Sequence, residues 1–459
     1  MKTCPHHIRH CIVFVFFVLG LLPQVFRAAD VRELGARGDG AADDTDAITR
    51  AVAAGGAIRF SAGTYRITRT VVVELKKTGY LSIVGDGAAV VRMEGQGPAF
   101  HFVGTLEKTA SPADFPPDFW QTQVMPKVEG LTIAGGHAEA IGLRVSRVMQ
   151  MTVIGCNFRR LRHGIHLTER NRNVLIGNCH VYDNTGVGVY LDKVDLHQIN
   201  IGNSHISYNR GGGVVARGGA VRNLQVSGCD IEGNMHPDSP ETANILLDST
   251  GGSIGEVEIT GCTIQHFTRN HAGSANIRFI GHSIPVRFTP EHRHGQVVIT
   301  GNTINDADIN IHLDGVRSAV ISGNTLHYAP RHDILVEESA HVVLSGNVLD
   351  RHPRYNYTDA IIQGIVFRDS TDCTITGLHI NGGRAPAAIA IHGGSRFHIS
   401  NCTVLDVTGL ALLLENVSGS FVHGNMVDLG DAARTAVRVS GGKDNVVRDN
   451  HVIGRIELP

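Results

Sequence analysis

The chain lacks an excess of charge of either sign. Among its 459 residues, 41 are basic and 43 acidic, a formal net charge of −2 with histidine neutral. A general nucleic-acid binder needs a basic surplus to displace counterions, so that class is excluded. Charged residues make up only 18% and hydrophobic residues 42%, which fits neither a disordered chain nor a multi-pass membrane protein. Aromatics are scarce, at 5% with one tryptophan. Beyond the N-terminus no apolar run reaches the ~20 residues that span a bilayer. What is abundant is glycine, 54 residues, together with 26 histidines and many β-branched residues. That composition predicts many short strands joined by tight turns.

The first 29 residues read as an export signal. Lys2 and Arg9 supply the positive end, Cys11 to Leu22 an apolar stretch too short to cross a membrane, and Ala28-Ala29 a cleavage site. A retained anchor is the rival reading. The expectation is a secreted, periplasmic or cell-surface protein, free of the membrane once the signal is removed, with residues 30–459 forming one domain.

A short pattern, apolar-x-apolar-x-Gly-[Asn/Cys]-x-apolar, recurs along that domain. It reads QVSGCDI at Gln225–Ile231, VITGNTI at Val298–Ile304 and VISGNTL at Val320–Leu326. Aligned on the Asn/Cys position, twelve repeats run from Cys156 to Asn450 with a base period of 22 to 25 residues. A second apolar pair follows about eleven residues later, as in Gly164-Ile165-His166-Leu167. The alternation has period two, so these are strands. Three short strands per repeat make one coil of a parallel β-helix, whose coils bury their apolar sides only by stacking. Twelve coils at ~4.8 Å per inter-strand step predict a rod on the order of 58 Å long. The Asn/Cys column reads as structural: a turn position that tolerates left-handed backbone angles, with side chains facing the interior. Five of the six later cysteines lie in it. Cys156/Cys179 and Cys229/Cys262 fall on neighbouring coils within disulfide reach, and free buried thiols are the favoured reading.

Residues 30–70 contain Gly35-Ala36-Arg37-Gly38-Asp39-Gly40, then Asp43-Asp44-Thr45, then Ala62-Gly63-Thr64-Tyr65. This segment resembles the N-terminus of the pectate-lyase-like superfamily. The resemblance implies an all-β, single-stranded, right-handed parallel β-helix of about twelve or more coils with an N-terminal capping helix. Asp43 or Asp44 would cap that helix, and Asp39, Asp43 and Asp44 are expected to be structural. The superfamily spans hydrolases, lyases, epimerases and phage tailspikes. The Asn-Thr-Asp, Gly-His-Gly and Arg-Ile-Lys set of polygalacturonases is absent, as are the Asp-Pro-His-Asp of alginate epimerases and the Arg-x-Pro-x-x-Arg of pectate lyases.

Spacing locates a candidate site. The distance from the column residue to the end of the following strand is usually 12 to 15 residues; it rises to 19 at Asp248, 18 at Ile280 and 21 at Arg368. Another 22 residues separate Ile280 from Asn302. Enlarged loops on both sides of one sheet build the walls of a groove. Alternation places His166, Tyr190, Asp192, Arg217, Asn244, Asn276, Arg278, Asn310 and Arg368 on its floor as substrate-binding residues. Asp248, His312, Asp314 and Glu337 are the catalytic candidates. Asp314 and Glu337 fall on adjacent coils, where like charges raise one carboxyl pKa. Asp248 and Asp314 lie two coils apart, near the separation of an inverting glycosidase. His312 is placed to act as acid or base, and Arg278 to hold a uronate or sulfate.

The leading expectation is a glycoside hydrolase acting on an anionic polysaccharide. A uronate lyase or epimerase, and a non-catalytic glycan-binding protein, are the alternatives. No cofactor is expected; calcium enters only with the lyase. No metal site is expected, because the spacing of His266, His271, His282, His292, His294 and His352 fits none. Trp120, in the Pro-containing insert 104–126, and Tyr355 and Tyr357 either stack on sugar rings or anchor loops.

Overall fold

The computed structural model describes residues 29–108, 111, 113, 115–266, 273–282, 294–355, 357, 358 and 361–459. Residues 1–28 of the expected export signal, His271 and His292 lie outside them. Two continuous parallel ladders, of 27 and 16 strands, run through the described residues. The larger one holds two faces of the rod. Strands such as His163–Gly177 and Val189–Gly202 run along the first face, bend, and continue along the second; their pairing slips by one residue at the bend, between Thr168 and Arg170. The smaller ladder is the third face, built from three-residue strands such as His180–Tyr182 and His205–Ser207. Each coil therefore passes three faces and advances by one strand, as the repeat period requires.

Alternate strand residues from all three faces meet in one core along the rod. Ile165, Leu167, Val189, Leu191, Ile277 and Ile311 are buried there, as are Phe279 and Phe367. At its N-terminal end Tyr65 packs edge-on against Phe60, 5.1 Å between ring centres. A helix, Thr45–Ala54, sends Ile48, Ala51 and Val52 into the same core. The neighbouring carboxylates serve local structure. Asp43 Oδ1 accepts the Thr45 N–H at 3.1 Å, and Asp44 accepts Arg37 and Gly38 N–H groups at 2.7 and 3.0 Å. Asp44 occupies the N-cap position without bonding the helix through its side chain.

The Asn/Cys column is buried and structural, with one correction. The left-handed residue is the one before it: Gly155 (φ 63°), Asn178 (φ 53°), Asn203 (φ 48°) and Gly301 (φ 66°). Gly or Asn turns the chain, and the next side chain then points inward to tie the coils together. Asn302 donates from Nδ2 to Asn324 Oδ1 at 3.0 Å, and Asn324 to Asn347 at 2.9 Å. Where cysteine or leucine holds the slot, apolar packing replaces the amide bond. All six described cysteines are free and buried.

The insert is anchored by Phe119, which packs with Leu106 and Met149, while Trp120 is exposed. No helix among the described residues is long and apolar enough to cross a membrane.

Candidate functional site

The outer side of the first face carries two parallel columns, and pairing fixes their order. One column runs His166, Tyr190, Val215, Leu246, Arg278, His312, Leu335, Val366. The other runs Thr168, Asp192, Arg217, Asp248, Ile280, Asp314, Glu337, Arg368. The sequence reading had both as groove floor. The structure separates them. Residues at or just before the strand starts crowd the first column, where Val187, Ala243, Ala275 and Ile309 join Val215, Leu246 and Leu335 in a second, smaller apolar cluster. His166 and Arg278 are only 6% exposed. The second column stays open, with Arg217 and Arg368 exposed and Asp192, Asp248, Asp314 and Glu337 half-buried. The accessible surface is thus one row of charges at coil steps of about 4.8 Å, interrupted by Ile280 between Asp248 and Asp314.

Three predicted substrate contacts are corrected outright. Asn244, Asn276 and Asn310 are fully buried. They belong to an amide ladder that starts at Asn184, Asn209 and Asn234 and ends at Asp333. In the early coils a residue just after the third-face strand fills this slot. Where the loop 235–242 lengthens the connection, the slot passes to the second residue of the first-face strand. Simple alternation missed the switch, because the backbone turns at that point and its side chain faces inward.

Arg278 is also unavailable for an anion. It pairs with Glu241, donates to the Gly273 carbonyl, and donates from Nε to His312 Nδ1 at 3.0 Å. Because guanidinium only donates, His312 Nδ1 is the acceptor and Nε2 carries the hydrogen. Nε2 lies 2.9 Å from Glu337 Oε2. Both imidazole nitrogens are therefore occupied, and burial beside Arg278 holds the His312 pKa below its usual value. Burial alone would raise Glu337. Hydrogen bonds from Arg368, at 2.7 Å, and from His312 outweigh it and keep this carboxylate below its ordinary range. Glu337 is thus a held anion, not the raised acid that its position beside Asp314 suggested.

At the other end of the row, the Tyr190 ring stacks on His166, 5.2 Å apart and 7° from parallel. His166 Nε2 lies 3.1 Å from Asp192 Oδ2. Burial lowers His166 and raises Tyr190. His163, not foreseen from sequence, packs against both rings, and burial pushes its pKa down to about 4. Its place beside the loop, outside the alternating pattern, hid it; a histidine three residues before His166 was the available signal. Arg217, between Asp192 and Asp248, makes no hydrogen bond or ion pair among the described residues. Asp248 Oδ1 accepts the Thr250 N–H at 2.9 Å, and Asp314 Oδ1 faces His282 Nε2 at 3.0 Å. Sequence reading named no metal site. On the third face His205, Asp230 and Glu232 hold ligand-type atoms within 4.8 Å of one another, in the partly exposed setting common to acidic clusters without an ion.

A long stacked coil of parallel strands, with one open charged row on its outer side, is a right-handed parallel β-helix. The family described as right handed beta helix region matches residues 126–264 and 355–455, more than half of the chain, and the chain belongs to it. Residues 28–113 match a second family, rhamnogalacturonase A/epimerase, pectate lyase-like. Among solved structures, the catalytic unit of a GH87 α-1,3-glucanase from Streptomyces thermodiastaticus is 14% identical. That alignment covers 93% of this chain and 70% of the glucanase chain, with a TM-score of 0.52. The A-module of the Azotobacter vinelandii mannuronan C-5 epimerase AlgE6 is 13% identical, with coverage of 94% and 100% and a TM-score of 0.39. Tailspike protein 3 of bacteriophage CBA120 is 14% identical, with a TM-score of 0.44; 94% of this chain aligns, spanning 61% of that one. The likeness to the glucanase shows the fold. No curated protein matches the chain.

Proposed function

We propose that this chain is an exported protein that binds an anionic polysaccharide along the open row and hydrolyses it there. The observation that carries the reading is the row itself: exposed, unpaired Arg217 stands between Asp192 and Asp248, with Asp314 two coils further on. An extended glycan laid along the rod meets one outward side chain of this row per coil, charged in every coil from Asp192 to Arg368 except that of Ile280. Arg217 and Arg368 hold its acidic groups. Asp248 and Asp314 are two inter-strand steps apart, ~10 Å at the backbone, which side-chain bending reduces to the ~6.5–9.5 Å of inverting hydrolysis. Asp248 activates water as the base. Asp314 protonates the leaving oxygen, with His282 in place to restore its proton. Glu337 does not move a proton; it is the counter-ion that keeps His312 and Arg368 in position. That a glucanase shares the fold supports a glycan as the partner.

Purified protein incubated with pectins, alginate, glycosaminoglycans and sulfated polysaccharides should release reducing ends without new ultraviolet absorbance. Asp248→Asn and Asp314→Asn should each abolish release while thermal unfolding stays unchanged. Release surviving both substitutions refutes the assignment.

The Tyr190–His166–Asp192 stack supports a second reading, elimination or epimerisation of a uronate held by Arg217. Proton abstraction beside the carboxylate would then fall to Asp192, while the Tyr190 hydroxyl protonates the departing oxygen and recovers its proton from Asp192, and calcium would help neutralise the acid. Products absorbing in the ultraviolet, lost on Tyr190→Phe, would favour it.

A further inference from the structure

The same coils that carry the charged row carry a second concavity one face away. Beyond the bend, Thr152, Leu175, Asn200 and Gln225 pair in register on the outside of the second face. Beside them Gln150, Asn173, Gln198 and Asn223 form a parallel column. Together with Met125 they line a cleft of about 520 Å³, and none of the nine is charged. Charge returns only at the limits, with Lys127 next to Thr152 and Glu258 next to Gln225.

Self-pairing accounts for only part of this amide surface. Asn200 Nδ2 donates to Gln225 Oε1, and Asn223 Nδ2 to Glu256 Oε2, both at 2.6 Å. The side chains of Gln150, Asn173 and Gln198, on three consecutive coils, make no hydrogen bond among the described residues. Asn173 Oδ1 is buried and without a partner. An unpaired carboxamide presents a donor and an acceptor side by side, the complement of two neighbouring sugar hydroxyls. Leu175 and Met125, 50% and 61% exposed, supply an apolar platform for the less polar face of a ring. The repeat of ~4.8 Å per coil is close to the length of one hexose unit in an extended chain.

We propose that this cleft is a binding site for an uncharged glucan, separate from the charged row and spanning about three coil steps. An anionic polymer gains nothing here, because none of the nine lining residues is a cation and Lys127 at the edge is paired with Glu129. The site anchors the protein on neutral polysaccharide while the charged row works on another chain, and it stands whether or not that row is catalytic.

Calorimetry of the full chain with cellohexaose, laminarihexaose and maltohexaose tests it. At least one should bind, without competition from an oligogalacturonate. Asn173→Ala with Gln198→Ala removes two hydrogen-bonding groups and should weaken binding about ten-fold or more. Asp248→Asn should leave it unchanged. Where the double variant does not fold, Leu175→Ala, at an exposed position, should still weaken binding. Silence with all three hexaoses overturns the proposal, as does binding that survives these substitutions. Binding that Asp248→Asn or the oligogalacturonate removes belongs to the charged row and overturns it equally.

Discussion

Asp333→Asn should stabilise the protein, and increasingly so as pH rises. Asp333 closes the buried amide ladder: its Oδ1 accepts from Asn310 Nδ2 at 3.0 Å, and its Oδ2 has no partner. It is 0% exposed, and burial raises its pKa from 3.8 to about 7. The folded state therefore holds this proton more tightly than the unfolded chain does. Stability is fully present below 3.8, falls as pH rises through the window from 3.8 to about 7, and is lowest above it. Three pH units at ~1.4 kcal/mol each make the full penalty ~4 kcal/mol. Asparagine keeps the acceptor, removes the ionisation, and adds a donor. The preceding ladder amides donate to the carbonyls of Gln265, Asn305 and His327, and the new donor continues that series. Denaturant midpoints of the native chain and Asp333→Asn, compared from pH 4 to pH 9, give the measurement. The variant's advantage should grow between pH 4 and 7 and then level off. A difference that is constant with pH, or that shrinks as pH rises, refutes the reasoning.

Within the same ladder, Asn276→Ala leaves Asn310 Oδ1 and the Asn305 carbonyl without their donor; denaturation should show a loss of about 2–3 kcal/mol. Arg217→Ala removes an exposed, unpaired guanidinium, so KM for an anionic glycan should rise while the unfolding temperature stays constant. Burial holds His101 and His163 neutral down to pH about 4 against 6.5 unfolded. Their contribution is complete above pH 6.5 and lost as pH falls toward 4, so His163→Phe should flatten the acid limb of stability. Cys156, Cys179, Cys229, Cys262, Cys373 and Cys402 are buried; site-resolved labelling at pH 8 should leave them unmodified until the chain unfolds. Labelling of native Cys156, whose pKa burial pushes up to about 12, would contradict the packing.

The repeat was legible because its physics is local. A Gly or Asn that turns the chain, a small or amide side chain behind it, and apolar alternation on either side recur in every coil, and a coil buries its apolar side only by stacking. Counting from Cys156 to Asn450 therefore predicts the period, the core and the pairing register, including Asp314 beside Glu337. The charged row was legible for the same reason. Which outward residues stay accessible was not, since that depends on loops of irregular length. Leu246 packs with Ala243 and Ala275 at the strand starts, and Glu241 from the loop before Ala243 captures Arg278. The amide slot passed from Asn234 to Asn244, ten residues along the chain, because the two residues meet in space. His312 and Glu337 likewise became a fixed hydrogen-bonded pair through Arg278 and Arg368, contacts between coils more than twenty residues apart. Sequence by itself determined the coil, its register and the charge of each outward column, because those follow from short-range periodicity. Tertiary structure alone decided which of those charges face water and which are already paired, because burial and pairing are set by distance in space between segments that the sequence keeps apart.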